Sequence, residues 1–168
     1  NSQWPHKLTS IEQAWELEQG SSDIVIGIID TGIDTGHDDL ENNIWHSNSG
    51  KPGIDYVDID TNSYKQNGYI PKAGEDYTEM DSLPADYYGH GTHCAGIAAA
   101  VGGNGIGVCG VAFHSKIMPL RAGFAMNYYG SEYALFESDD VANCIYYAVN
   151  NGVDVLSMSF GIYDSLQL

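Results

Sequence analysis

An aspartate at the end of an aliphatic run, and a histidine between two glycines sixty positions later, are the residues best equipped for chemistry in this sequence. The run is Ile24-Val25-Ile26-Gly27-Ile28-Ile29, followed by Asp30-Thr31-Gly32. A continuous apolar stretch of this kind suits a strand covered on both faces, as in a parallel sheet. Asp30 then sits at the carboxyl end of that strand, where open α/β sheets build their sites. The histidine is His90, within Gly89-His90-Gly91-Thr92-His93-Cys94-Ala95-Gly96. Its glycines let other backbone approach and leave the ring accessible. A helix N-terminus disfavours a resting positive charge, which suits a base that must begin neutral. A carboxylate that orients an imidazole, and an imidazole that takes a proton, are two thirds of a nucleophilic triad. Each residue also has a plainer reading. Asp30 can cap the turn through Thr31 and Gly32. His90 and His93, three apart, can share a metal, although neither a third ligand nor a Glu-containing zinc motif accompanies them. His93 alone reads as a hydrogen-bonded structural histidine, and Cys94 as a small buried hydrophobe.

The elements that must position these residues follow from the pattern around them. Residues 1–9 read as an extended arm anchored by Trp4 and Pro5. Thr9 or Ser10 caps a helix through Gln19 that turns Ile11 and Trp15 inward, and Gly20 stops it. Residues 41–88 are long, polar and tyrosine-rich, with few helix or strand signals, and a loop of that length is usually functional. Within it, Asp58, Asp60 and Asn62 have the first spacings of a calcium loop, but Ser63 replaces the turn glycine and the twelfth position holds no Glu. His90 to Val101 reads as a helix, and Gly102-Gly103-Asn104-Gly105 ends it. Lys116 to Leu120 is a second strand, and residues 122–137 read as irregular. Ser138 caps a helix from Asp139 to about Asn150, with acidic residues in its first turn. Val153 to Met158 is a third strand. Strand, helix, strand, helix, strand is a parallel α/β pattern in one domain, with no repeat and no dividing linker.

Composition narrows the partners. The 168 residues carry a formal charge of −17, from 23 acidic against 6 basic side chains, and 43% of them are hydrophobic. That is a folded chain with a core. Its charge opposes nucleic acid, whose binders neutralise phosphate with Lys and Arg, and opposes anionic membrane surfaces. Solubility or cation binding accounts for the excess acid. Cys94, Cys109 and Cys144 make neither a disulfide scaffold nor a zinc knuckle. No apolar run approaches a membrane span. Asn1-Ser2-Gln3-Trp4-Pro5 has no signal-peptide pattern, as expected of a mature, processed N-terminus.

Ile28-Ile29-Asp30-Thr31-Gly32-Ile33-Asp34, His37-Asp38-Asp39-Leu40 and Asp86 to Gly96 occur in the order and context of the subtilisin-like serine proteases, and the chain resembles that family. Two further blocks agree: Asn104 to Ala112 with Ile117-Met118-Pro119-Leu120, and Asn151 to Gly161. The resemblance runs from about Ile24 to Gly161. It implies an α/β, subtilisin-like three-layer fold with a mostly parallel central sheet, incomplete in this chain. Residues 1–168 would be the N-terminal portion of a subtilase catalytic domain, with a long acidic insertion at about 41–88. The resemblance makes Asp30 the orienting acid and His90 the general base. Ser159, Phe160 and Gly161 would border the primary specificity pocket and bind substrate backbone. Asp39, with carbonyls near Gly102, Asn104, Ile106 and Val108, would hold a structural calcium ion, with Ser2 or Gln3 as an N-terminal ligand. The family's oxyanion asparagine and nucleophilic serine come after Gly161, and no serine here fits that role.

The expectation is therefore a secreted serine endopeptidase that attacks polypeptide substrates through an Asp-His-Ser triad, of which this chain supplies the acid and the base. By itself it would be inactive, and a second chain or a missing C-terminal segment would bring the serine. The rival expectation is a catalytically inactive binding module on the same fold. A zinc hydrolase using His90 and His93 is the more distant alternative.

Overall fold

The computed structural model describes residues 3–161. Its centre is a four-stranded sheet built from β1 (Val25–Asp30), β2 (Ile54–Asp55), β4 (Lys116–Arg121) and β7 (Val155–Met158), in the order β2-β4-β1-β7 with every pairing parallel. The aliphatic run supplies both faces of this sheet. Ile28 and Ile117 point to one side, where they pack with Ala95 and Ala99 of α4 (His90–Ala99) and with Ile33, Leu40 and Ile44. Ile29, Met118 and Leu120 point to the other, against Cys144 and Ala148 of α5 (Ser138–Asn150). Alternate side chains leave a strand on opposite faces, so an uninterrupted apolar run requires a helix layer on each. Helix, sheet and helix form the three layers, and the fold is the α/β arrangement that the sequence predicts.

β1 lies between β4 and β7, so Asp30 leaves the sheet from an interior strand, and the register places it beside Arg121. β7 pairs only with β1 among the described residues, and Val155 and Met158 on it are exposed. On α4 the small residues Ala95 and Ala99 face the sheet, whereas His93 and Ile97 face outward.

Four readings of the sequence are corrected by this architecture. Residues 122–137 are not irregular: β5 (Gly123–Tyr128) and β6 (Ser131–Phe136) form an antiparallel hairpin, with β3 (Ile70–Pro71) added at its edge. The turn hides this, because Tyr129 adopts φ 48° where Asn or Gly is the usual signal. Second, the segment 41–88 is not a bare loop. It contains a 3-10 turn at Glu41–Asn43, β2, α3 (Thr61–Gln66) and β3. Its Val57, Ile59 and Tyr77 build a third core cluster with Phe124 and Met126 of the hairpin. Asp60 caps α3, accepting from the Asn62 backbone N–H at 2.9 Å. Third, the N-terminal arm is two short helices, α1 (Trp4–Leu8) and α2 (Ile11–Ala14), broken at Ser10 with φ 59°. Pro5 in the first turn favours helix there, since its missing N–H costs nothing at that position. Trp4, read as the anchor, is exposed, and Trp15 just beyond α2 fastens the segment instead, with Nε1 donating to the Val111 carbonyl at 2.8 Å. Fourth, Glu137 rather than Ser138 occupies the N-cap of α5, and no side chain caps it.

Candidate active site

Asp30 ends β1 with its side chain 1% exposed. Its Oδ1 accepts from the Thr31 backbone N–H at 2.8 Å and lies 2.7 Å from His90 Nδ1. An ionised carboxylate can only accept, so in this contact the ring proton belongs on Nδ1, and the lone pair of a neutral ring is then the one at Nε2. One oxygen thus makes both the turn contact and the imidazole contact. Oδ2 is buried and has no partner among the described residues.

Two close approaches bring His90 to that oxygen. Gly89 precedes the helix with φ 96°, a conformation that a side chain would strain. Gly91 packs directly against the turn after β1: a Cβ there would lie 2.1 Å from the Gly32 carbonyl oxygen and 3.0 Å from Asp30 Cβ. The Gly91 N–H donates to Thr31 Oγ1 at 3.0 Å, which closes helix onto strand. The His90 side chain keeps 40% exposure, so the ring faces the solvent side of a nearly buried acid.

Cys94 stands one helical turn after His90, its sulfur 3.8 Å from each ring nitrogen. It is half-buried and packs against the core cluster behind the sheet, and burial pushes its thiol up despite the nearby Ser159 side chain. Phe160 turns back, stacking on Phe136 with ring centroids 4.2 Å apart, and Gly161 is exposed. His93 is exposed on the outer face of α4 and shares no cluster of metal-ligating groups with His90 among the described residues.

The residues of the calcium expectation are partly gathered. Asp39 is 2% exposed. Its Oδ1 accepts from the Asn104 side-chain amide at 2.8 Å, and its Oδ2 from the Val108 N–H at 2.7 Å. Gly107 touches the same carboxylate so closely that a Cβ would sit 2.3 Å from Oδ2. The Gln3 side chain clasps Cys109 next to this loop through its carbonyl (2.9 Å) and N–H (3.1 Å). Ser2 lies outside the described residues. Gly102 abuts the Phe113 ring, and the Ile106 side chain is exposed. Asn104 turns its amide nitrogen toward Asp39, and its own side-chain oxygen accepts from the Ile106 N–H at 3.0 Å. Among the described residues no cationic side chain pairs with Asp39.

Sequence reasoning did not find Arg121. Its guanidinium is fully buried at the end of β4, paired with Asp55 and with Glu75 Oε1 at 2.9 Å, and donating to the Asp76 carbonyl at 2.9 Å. It also lies 5.1 Å from the centre of the Tyr87 ring. Burial pushes the Asp55 carboxyl up to about 6 against the pull of Arg121, and burial likewise raises Glu75. Arg121 thereby fastens the 41–88 segment to the sheet end that carries Asp30. An arginine beside Pro119 and Leu120 gave no sign of burial, because its acidic partners are 66 and 46 positions away.

The sequence profile of the Subtilase family matches residues 21–167, which spans both the Asp30 strand and the His90 helix. The chain belongs to the subtilase family. It is 33% identical over 153 residues to a thermophilic serine proteinase of Bacillus sp. (strain AK1), covering 91% of this chain and 30% of that protein. It is 33% identical over 157 residues to thermitase of Thermoactinomyces vulgaris, covering 94% and 43%. Halolysin of Haloferax mediterranei is 31% identical over 160 residues, covering 95% and 25%. The subtilase chain spans less than half the length of these curated relatives.

Proposed function

We propose that this subtilase chain supplies the acid and the base of a serine endopeptidase that hydrolyses polypeptides. The observation that carries the reading is the 2.7 Å contact between His90 Nδ1 and a buried Asp30 carboxylate, with the ring otherwise open. Asp30 fixes the tautomer in which Nε2 is the free base, and it stabilises the imidazolium once a proton arrives. A serine hydroxyl from sequence outside these residues, on the same chain or a second one, gives its proton to Nε2 as its oxygen attacks the substrate carbonyl. His90 then returns the proton to the leaving amine. An amide from outside these residues would hold the oxyanion. Ser159 and Gly161, at the open edge of the sheet, would bind substrate backbone beside the imidazole, with Phe160 held against Phe136.

The same reading gives the fold a structural calcium ion, held by Asp39 and Asn104 with the carbonyls of Gly102, Ile106 and Val108, where it would neutralise a buried carboxylate. The working protein would act outside the cell, as the family resemblance implies. Among the described residues, no helix is long and apolar enough to cross a membrane.

The test is hydrolysis of a fluorogenic peptide amide by the full-length protein. The expected result is turnover that is lost in His90→Ala and blocked by a serine-directed phosphonate, with the label on a serine outside these residues. Turnover unchanged in His90→Ala would overturn the reading.

A further inference from the structure

We propose that Asp86 is a positioning residue for the Asp30–His90 pair, its carboxylate joining the turn after β1 to the first turn of α4. The inference rests on the reading of His90 as a base oriented by Asp30.

Asp86 accepts five hydrogen bonds from two directions. Its Oδ1 accepts from the Thr31 hydroxyl at 2.8 Å, the Tyr88 N–H at 3.0 Å and the Gly89 N–H at 2.8 Å. Its Oδ2 accepts from the Thr92 N–H at 2.9 Å and the Thr92 hydroxyl at 2.6 Å. The donors are the neighbours of the two reacting groups. Thr31 follows Asp30 and donates its own N–H to the Asp30 carboxylate, while its oxygen receives the Gly91 N–H. Thr92 lies two residues after His90, and its oxygen also accepts from the Asp34 N–H at 2.9 Å. One carboxylate therefore binds both sides of the gap that the His90–Asp30 hydrogen bond must cross.

The chemistry requires an ionised carboxylate. All five partners are donors, and an asparagine has only one acceptor atom, so either orientation of its amide would set N–H groups against N–H or O–H groups. Burial works to raise the Asp86 carboxyl, yet the bonds from Thr92, Gly89 and Thr31 outweigh it and hold the group below the usual carboxylate range. A negative charge at the start of α4 also offsets the partial positive charge of the helix terminus, which would otherwise oppose an imidazolium at His90. The titratable and charged groups around the ring are Asp30 on β1, Cys94 on its own helix and Asp86 on the loop before it, with Arg121 of β4 turned away toward Asp55 and Glu75.

The experiment is NMR of the isotopically labelled protein, following exchange of the His90 Nδ1 proton and titration of the ring, in the parent and in Asp86→Asn, Thr31→Val and Thr31→Ser. The parent is expected to show a protected Nδ1 proton. Asp86→Asn and Thr31→Val are expected to speed its exchange by roughly tenfold or more, and to move the ring titration away from that of the parent. Thr31→Ser keeps the hydroxyl and should match the parent. Should Asp86→Asn fail to fold, the contrast between Thr31→Val and Thr31→Ser carries the same test. Folded variants with parental exchange and parental titration would overturn the proposal alone. A parent without a protected Nδ1 proton would overturn the triad reading and this proposal with it.

Discussion

Changing Gly91 to alanine adds one methyl group at the closest approach in the site. That carbon would begin 2.1 Å from the Gly32 carbonyl oxygen, where ordinary contact starts at 3.4 Å. The Gly32 carbonyl cannot absorb the difference as a flexible side chain would, because it is backbone. The start of α4 must therefore move away from β1 by about 1 Å, breaking the Gly91–Thr31 bond and lengthening the His90–Asp30 contact beyond hydrogen-bond range. Overpacking of this kind costs about 1–3 kcal/mol, and an active-site displacement of that size costs roughly a hundredfold in rate. Gly96, on the same helix, supplies the control. A Cβ there meets nothing within 4 Å, so Gly96→Ala gains helix propensity and is expected to stabilise by about 0.8–1 kcal/mol. Urea denaturation of both variants, with NMR of the His90 Nδ1 proton, checks the pair. Opposite signs are expected, and the proton signal should be lost only in Gly91→Ala. A Gly91→Ala variant as stable as the parent, with the signal intact, would refute the packing argument.

Arg121→Met leaves Asp55 and Glu75 buried without their cation, and is expected to cost about 3–5 kcal/mol in urea unfolding; adding Asp55→Asn should recover part of that loss. Asp140 is buried with Oδ2 unpartnered, and burial, with Asp139 and Glu137 nearby, pushes it up to about 7 from an ordinary 3.8. The folded state thus holds a proton that the unfolded chain has released, so this contribution to stability is full below pH 3.8 and is lost as pH rises through about 7. Asp140→Asn should accordingly be more stable than the parent at pH 8 by about 1–2 kcal/mol, with the gap closing by pH 4; a constant gap across a melting series would contradict this. Removing calcium with a chelator should lower Tm in a sample first shown to contain the ion, since a ligand bound only to the native state stabilises it, and Asp39→Asn should abolish the difference.

The parts of the site legible in the sequence are those whose signals are local. An uninterrupted aliphatic run announces a two-faced strand, and the residue ending it must emerge at the carboxyl end of the sheet, as Asp30 does. Glycines around His90 announce a close approach, which Gly91 makes against Gly32. What pairs these two residues across the fold was legible only through the family resemblance of their motifs. Features that depend on distant partners were hidden. Arg121 looks like any charged strand end until Asp55 and Glu75 arrive from the 41–88 segment. Asp86 reads as the start of the family-like His90 block, but its role stays hidden, because its five donors are backbone and hydroxyl groups that carry no charge pattern. The β5–β6 hairpin was missed for a third reason: its turn places a tyrosine where positive φ normally demands Asn or Gly.

The role of Asp30 and His90 as one catalytic unit is tested most directly by a double-mutant cycle in the full-length protein, measuring kcat on a peptide amide for Asp30→Asn, His90→Ala and both together. Each single change is expected to lower kcat by at least about 10⁴-fold, and the double variant to be no slower than His90→Ala, because an acid that acts only through the imidazole has nothing left to orient once the ring is gone. Independent losses that multiply in the double variant, or substantial turnover in His90→Ala, would contradict the assignment.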